Sequence, residues 1–201
     1  MTITYTVGDG LYINMTNRCT NRCDFCIRHN GEGAYGSDSL WLEREPTKEE
    51  VLAAIEAADP TKYTEIVFCG YGEPTCRLDD LLWVCREIRA RWKITIRLNT
   101  NGQASMIHNR NTAPEFAGLV DILSISLNEC DAEKYDAICH SAFGPAAFDG
   151  MLKFAQEVKP YVSEVVLSVV RQFLSPESLA ECERICREIG VPIKIREYIA
   201  G

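Results

Sequence analysis

The chain has 201 residues and a formal net charge of −8, with 46% hydrophobic and 25% charged residues, a balance that excludes a disordered or collagen-like polymer. No apolar run reaches the roughly 18 residues of a membrane span, and the opening MTITYTVGDG lacks a basic n-region and an apolar h-region, so the cytosol is the expected location. The acidic balance argues against sequence-independent nucleic-acid binding, which draws its affinity from Lys and Arg on phosphates.

In chain order, β-rich runs at Ile3–Val7 and Leu11–Thr16, joined by Gly8-Asp9-Gly10, predict a hairpin. Thr47 and Glu50 form a capping box ahead of a helix over Val51–Ala58. A strand at Glu65–Gly70, a helix at Leu78–Arg91 and a strand at Ile94–Asn99 follow, then a short helical segment near Ala113–Ala117. The strand Ile122–Leu127 leads into helices at Ala132–Cys139 and Ala146–Val158, and the strand Val165–Val170 into a helix opened by Ser175-Pro176 and closed by Gly190. Pro192–Tyr198 is the last strand. From Leu11 onward, strands alternate with helical sequence, which implies parallel βαβ units. A complete eight-unit barrel takes about 250 residues. The expected fold is therefore α/β, a partial (β/α)6 TIM-like barrel with an N-terminal β-hairpin, in one domain spanning 1–201.

Parallel strands covered on both faces are near-continuously apolar, yet several here alternate. Leu11, Ile13 and Met15, then Ile94, Ile96 and Leu98, then Leu123, Ile125 and Leu127, then Ile193 and Ile195 share the parity expected to pack on helices. The opposite parity carries Tyr12, Asn14 and Thr16; Thr95, Arg97, Asn99 and Asn101; Ser124, Ser126 and Asn128; Lys194, Arg196 and Tyr198. A polar inner face on a helix-backed sheet predicts a ligand-lined cavity. An antiparallel sheet wetted on one face is the competing explanation, but would favour Lys and Glu over Asn, Ser and Thr.

Ten cysteines are many for a cytosolic chain, where thiols stay reduced and serve metal binding or catalysis. Cys19-Thr20-Asn21-Arg22-Cys23-Asp24-Phe25-Cys26 places three of them in the loop after the first barrel strand, at the end where barrel active sites sit. Three thiolates this close select zinc or an iron–sulfur cluster. A structural zinc normally takes four protein ligands, and no second paired motif supplies one, whereas three suit a [4Fe–4S] cluster with one open iron.

This CxxxCxxC, with Phe25 before its last cysteine, resembles the signature of the radical S-adenosylmethionine (SAM) superfamily. Tyr71-Gly72-Glu73-Pro74 resembles its GGEP motif, with tyrosine replacing the first glycine. Leu98-Asn99-Thr100-Asn101-Gly102 and Ser124-Ile125-Ser126-Leu127-Asn128 resemble the third- and fourth-strand ends. The resemblance runs from Leu11 to about Ile199. Thr16-Asn17-Arg18, the GYGEP variant and the ending Arg196-Glu197-Tyr198-Ile199 look most like the small TatD-associated group.

The resemblance implies that Cys19, Cys23 and Cys26 hold three irons of a [4Fe–4S] cluster while SAM chelates the fourth. Reductive cleavage would give methionine and a 5′-deoxyadenosyl radical that abstracts hydrogen from an unknown substrate. The implied SAM contacts are Phe25, Tyr71, Gly72, Glu73, Asn99, Asn101, Ser126, Asn128, Arg171 and Arg196, with Arg171 suited to the SAM carboxylate. Arg196 and Tyr198 are also candidates for substrate contact. The electron donor would be a reductant such as flavodoxin or ferredoxin.

Among the other cysteines, Cys182 and Cys186 lie on an apolar helical stripe and are expected to be buried, while Cys69 and Cys76 flank the GYGEP loop. His29 and His140 are candidate proton donors, and the segment His29–Glu45 is a candidate lid over substrate. Two other functions compete: an activase for a glycyl-radical protein partner, and a non-catalytic iron–sulfur or zinc protein.

Overall fold

Seven strands form one sheet in the order β1 to β7 in a computed structural model that describes residues 1–198. They are β1 (Thr4–Val7), β2 (Gly10–Ile13), β3 (Glu65–Phe68), β4 (Thr95–Thr100), β5 (Ile122–Ser126), β6 (Glu164–Val170) and β7 (Ile193–Arg196). The pair β1–β2 is antiparallel and every later pair is parallel. With β1 at one edge and β7 at the other, the barrel stays open. The expected hairpin and six parallel strands are all present. Ile199, part of the expected terminal motif, lies outside the described residues.

Helices α1 (Lys48–Ala58), α2 (Leu78–Arg91), α3 (Ala104–Ile107), α4 (Ala132–Cys139), α5 (Ala146–Val158) and α6 (Pro176–Ile189) make the crossovers. The capping box is formed: Glu50 N donates to Thr47 Oγ1 at 3.2 Å, and Thr47 N donates to Glu50 Oε2 at 2.8 Å. Ser175 caps α6, and Gly190 ends it at φ +68°. The segment Ala113–Phe116 closes as a 3-10 turn rather than an α-helix, and α3 is too short to leave a periodic pattern in the sequence.

The alternation sorts the sheet as expected. Leu11, Ile13, Met15, Ile96, Leu98, Leu123, Ile125 and Leu127 are fully or nearly fully buried in one core with Val51 and Ile55 of α1, Leu81 and Ile88 of α2, and Met151 and Phe154 of α5. β7 departs from the pattern: Ile193 and Ile195 are only half-buried, because an edge strand has a sheet neighbour on one side alone. Cys85, Cys130, Cys139, Cys182 and Cys186 are buried thiols. No described helix is long and apolar enough to cross a membrane.

Candidate functional site

A cleft of about 490 Å³ opens at the C-terminal strand ends, within the size range of small-molecule sites. Its lining draws on the cysteine loop, the GYGEP segment, the ends of β4 and β5, the loop 34–40 and β7. Cys19, Cys23, Phe25, Cys26, Tyr71, Gly72, Glu73, Asn99, Asn101, Ser126, Asn128 and Arg196 all line it. A wider concavity of about 620 Å³ lies near the N-terminal strand ends around Thr95, Arg89 and Asp121 and holds no cysteine; in barrels that face serves stability.

The cysteine loop is seated by a network that sequence reasoning does not foresee. Asn21, inside the motif, donates to Tyr135 Oη at 3.0 Å and accepts from Gln103 Nε2 at 2.8 Å. Asn101 Nδ2 donates to Thr20 Oγ1 at 2.9 Å, and Thr20 Oγ1 donates to Gln103 Oε1 at 2.6 Å. Backbone bonds from Arg22 N to Cys139 O and from Asp24 N to Ile138 O carry the loop across to α4. His140 Nε2 contacts Asp24 Oδ1 at 2.8 Å, which fastens the same junction rather than facing the cleft.

As neutral groups the motif thiols sit comfortably. Burial pushes Cys19 up to about 12 and raises Cys26. Cys23 is raised first by hydrogen bonding with the Cys139 thiol and then by burial. A bound metal reverses this preference by taking thiolates outright. The three motif thiols line the cleft together with uncharged oxygen and nitrogen groups, donor types that suit an iron–sulfur cluster and a polar organic ligand, although among the described residues no three His, Cys, Asp or Glu side chains are grouped closely enough to hold a single metal ion.

Glycines bring the walls together. A Cβ on Gly72 would lie 2.2 Å from Thr16 O and 2.6 Å from Arg18 O, and one on Gly70 would lie 2.1 Å from Asn14 Oδ1. Glu73 N donates to Arg18 O at 2.7 Å across this approach. The Glu73 carboxylate turns inward, accepting from Thr75 Oγ1 and Thr100 Oγ1 at 2.7 Å each and from Asn101 N at 2.7 Å. Burial raises its pKa against these donors. Glu73 thus ties the end of β3 to the end of β4.

Tyr71, where the motif has glycine, is 2% exposed. Its hydroxyl donates toward the carbonyls of Gly31 and Gly33, each at 2.9 Å, and its ring meets Trp41 edge-on. The segment predicted as a lid is further held by Asn14 Nδ2 to Leu40 O at 2.7 Å and Asn17 Nδ2 to Leu42 O at 2.8 Å. His29 closes a 3-10 turn and is exposed outside the cleft lining.

Arg171 is displaced from its expected place. It lies outside the cleft lining, exposed, with Nε 3.4 Å from Glu197 Oε1, because the turn Arg171–Phe173 directs it along the rim. Asn128, at φ +61°, keeps Oδ1 buried without a hydrogen-bond partner among the described residues, as does Arg196 with Nε. Buried unpaired groups of this kind call for an explanation, and a ligand is the direct one.

An open α/β barrel with a loop-built cleft at its C-terminal face has the layout of a barrel enzyme. Residues 13–189 match the family model described as the radical SAM superfamily, and the chain belongs to that superfamily of enzymes. A GTP 3′,8-cyclase of Listeria monocytogenes serotype 4b is 25% identical over 194 residues, 96% of this chain and 55% of the relative. That of Corynebacterium glutamicum is 33% identical over 136 residues, 64% of this chain and 33% of the relative. The chain spans about half the length of the Listeria relative, or less for the Corynebacterium one. Streptococcus suis SuiB bound to its precursor peptide SuiA superposes with a TM-score of 0.68 at 19% identity, covering 95% of this chain and 39% of SuiB. A radical SAM methyltransferase from Sphaerobacter thermophilus gives 0.62 at 16%, covering 96% and 68%. These likenesses establish the fold.

Proposed function

We propose that the chain, residues 1–201 as one catalytic core, is a radical SAM enzyme whose Cys19, Cys23 and Cys26 bind a site-differentiated [4Fe–4S] cluster. Bound there and reduced, such a cluster would supply the electron for reductive cleavage of the sulfonium S–C5′ bond of SAM, giving methionine and a 5′-deoxyadenosyl radical able to abstract hydrogen from an unknown substrate. The observation that carries the reading is that three motif cysteines and polar residues from successive strand ends, far apart in sequence, line one cleft.

The chain's own work is binding, orientation and exclusion of water. Asn99, Asn101, Ser126 and Asn128 offer hydrogen bonds to ribose and amino-acid groups. Asn128 Oδ1 has its acceptor capacity unspent among the described residues. Phe25 meets Phe173 in a tilted pair with ring centroids 4.9 Å apart, which ties the end of the cysteine loop to the turn after β6. Gly72 keeps the backbone beside the cysteine loop free of side chain. Tyr71 and Glu73 act through the segments they hold, Tyr71 on the loop 29–45 and Glu73 on the β3–β4 junction. The reading includes a cytosolic setting with a reductant such as flavodoxin or ferredoxin, and the GYGEP variant supports the TatD-associated group.

Anaerobic loading with iron and sulfide tests the ligand set. Wild type is expected to bind four irons with a visible charge-transfer band, while Cys23→Ala loses that band and keeps the wild-type far-ultraviolet circular dichroism. Full iron loading in folded Cys23→Ala would remove the assignment.

A further inference from the structure

The open seam of the barrel carries charge that the proposed cofactors leave unassigned. Two acids line the cleft, Glu73 and Glu197. The Glu73 oxygens are filled by Thr75, Thr100 and the Asn101 amide. Glu197 is held on the rim by Arg171 and by Gln172 Nε2. Two cations line it, Lys194 and Arg196, two residues apart on the same face of β7, and no ion pair is formed by either among the described residues. Arg196 Nε is inaccessible to water and has no hydrogen-bond partner there. A buried unpaired donor is costly, more so when charged, so a fold keeps one where something else supplies the acceptor.

The surroundings set this cationic face beside the loop that follows the cysteine motif. Tyr35, Cys69 and Asn99 line the cleft together with Arg196. Tyr5 Oη donates to Cys69 O at 3.2 Å. Tyr198 Oη donates to Asn30 Oδ1 at 2.9 Å, bridging β7 to the loop that covers the seam. The cationic face therefore lies toward β1, β7 and the covering loop, in a pocket walled by tyrosines.

We propose that this seam is the substrate subsite and that Arg196, assisted by Lys194, takes an anionic group of the substrate, a carboxylate or a phosphate. The proposal deepens the radical SAM reading and rests on it. It moves Arg196 from the expected SAM contacts to substrate.

The test is isothermal titration calorimetry on anaerobically reconstituted protein with inorganic pyrophosphate and with glutarate as probes, each with and without saturating SAM. Saturable binding of either probe that persists with SAM present supports the subsite, and the probe that binds identifies phosphate or carboxylate. Arg196→Gln is expected to weaken it by at least about tenfold and Lys194→Gln by about threefold. Arg184→Gln, which removes the same charge on the outer face of α6, is expected to bind as wild type. Should Arg196→Gln lose the wild-type circular dichroism, Arg196→Lys and the exposed Lys194→Gln decide the matter. Displacement of the probe by SAM would give the face to the SAM carboxylate and overturn the proposal, as would no saturable binding or wild-type affinity in Arg196→Gln. SAM cleavage by wild type is measured on the same preparation, so a protein that cleaves SAM and binds neither anion loses this subsite alone.

Discussion

Tyr71 shows how one side chain can change the work of a motif. A glycine there would leave the loop 29–45 without its two hydroxyl bonds to Gly31 and Gly33 and without the ring under Trp41. Tyr71→Phe keeps the ring and deletes the hydroxyl, so it is expected to cost about 1 kcal/mol of stability. It is also expected to raise amide hydrogen exchange across residues 31–40 while leaving β3 and β4 protected. Unchanged exchange in that loop would show that the hydroxyl does not hold it. That the three motif cysteines and the strand-end asparagines line one cleft was legible, because alternation along the strands and the spacing of the motif place them at the same sheet end. Asn21, Gln103 and Tyr135 were not, since their bonds join positions 82 and 114 residues apart. The Arg171–Glu197 pair was hidden for the same reason: a rim turn, invisible in the sequence, sets the direction of the side chain.

Among the elements, the junction between the ends of β2 and β3 fixes the geometry of the cleft. The backbone at Gly72 runs against the carbonyls of Thr16 and Arg18, where no Cβ fits. Gly72→Ala must push these segments apart, at an expected cost of about 1–3 kcal/mol in urea unfolding, and must shift the cysteine loop that follows Arg18. A stability equal to wild type would mean that the junction yields easily. All seven strands and five helices follow from alternation, caps and turn residues. Their ends were harder to set: β2 and β7 were read too long because strand-like residues continue beyond the last ladder pair. Membership of the edge, which leaves Ile193 and Ile195 half-buried, depends on sheet order and not on local pattern.

At the scale of the whole molecule, an open sheet with helices on its outer face leaves a polar inner face and an unpaired seam between β1 and β7. The superfamily match and the superposed enzymes agree with this architecture. The cysteine loop crosses the top of the sheet from β2 to α4, and the loop 29–45 covers the seam, so cofactor and substrate would share one enclosed cleft. The most direct measurement is anaerobic reconstitution followed by dithionite reduction with SAM, reading the cluster by electron paramagnetic resonance and 5′-deoxyadenosine by mass spectrometry. A four-iron signal that shifts on SAM addition, with deoxyadenosine formed, is the predicted result. A cluster indifferent to SAM, or zinc without iron in protein purified anaerobically, would contradict it.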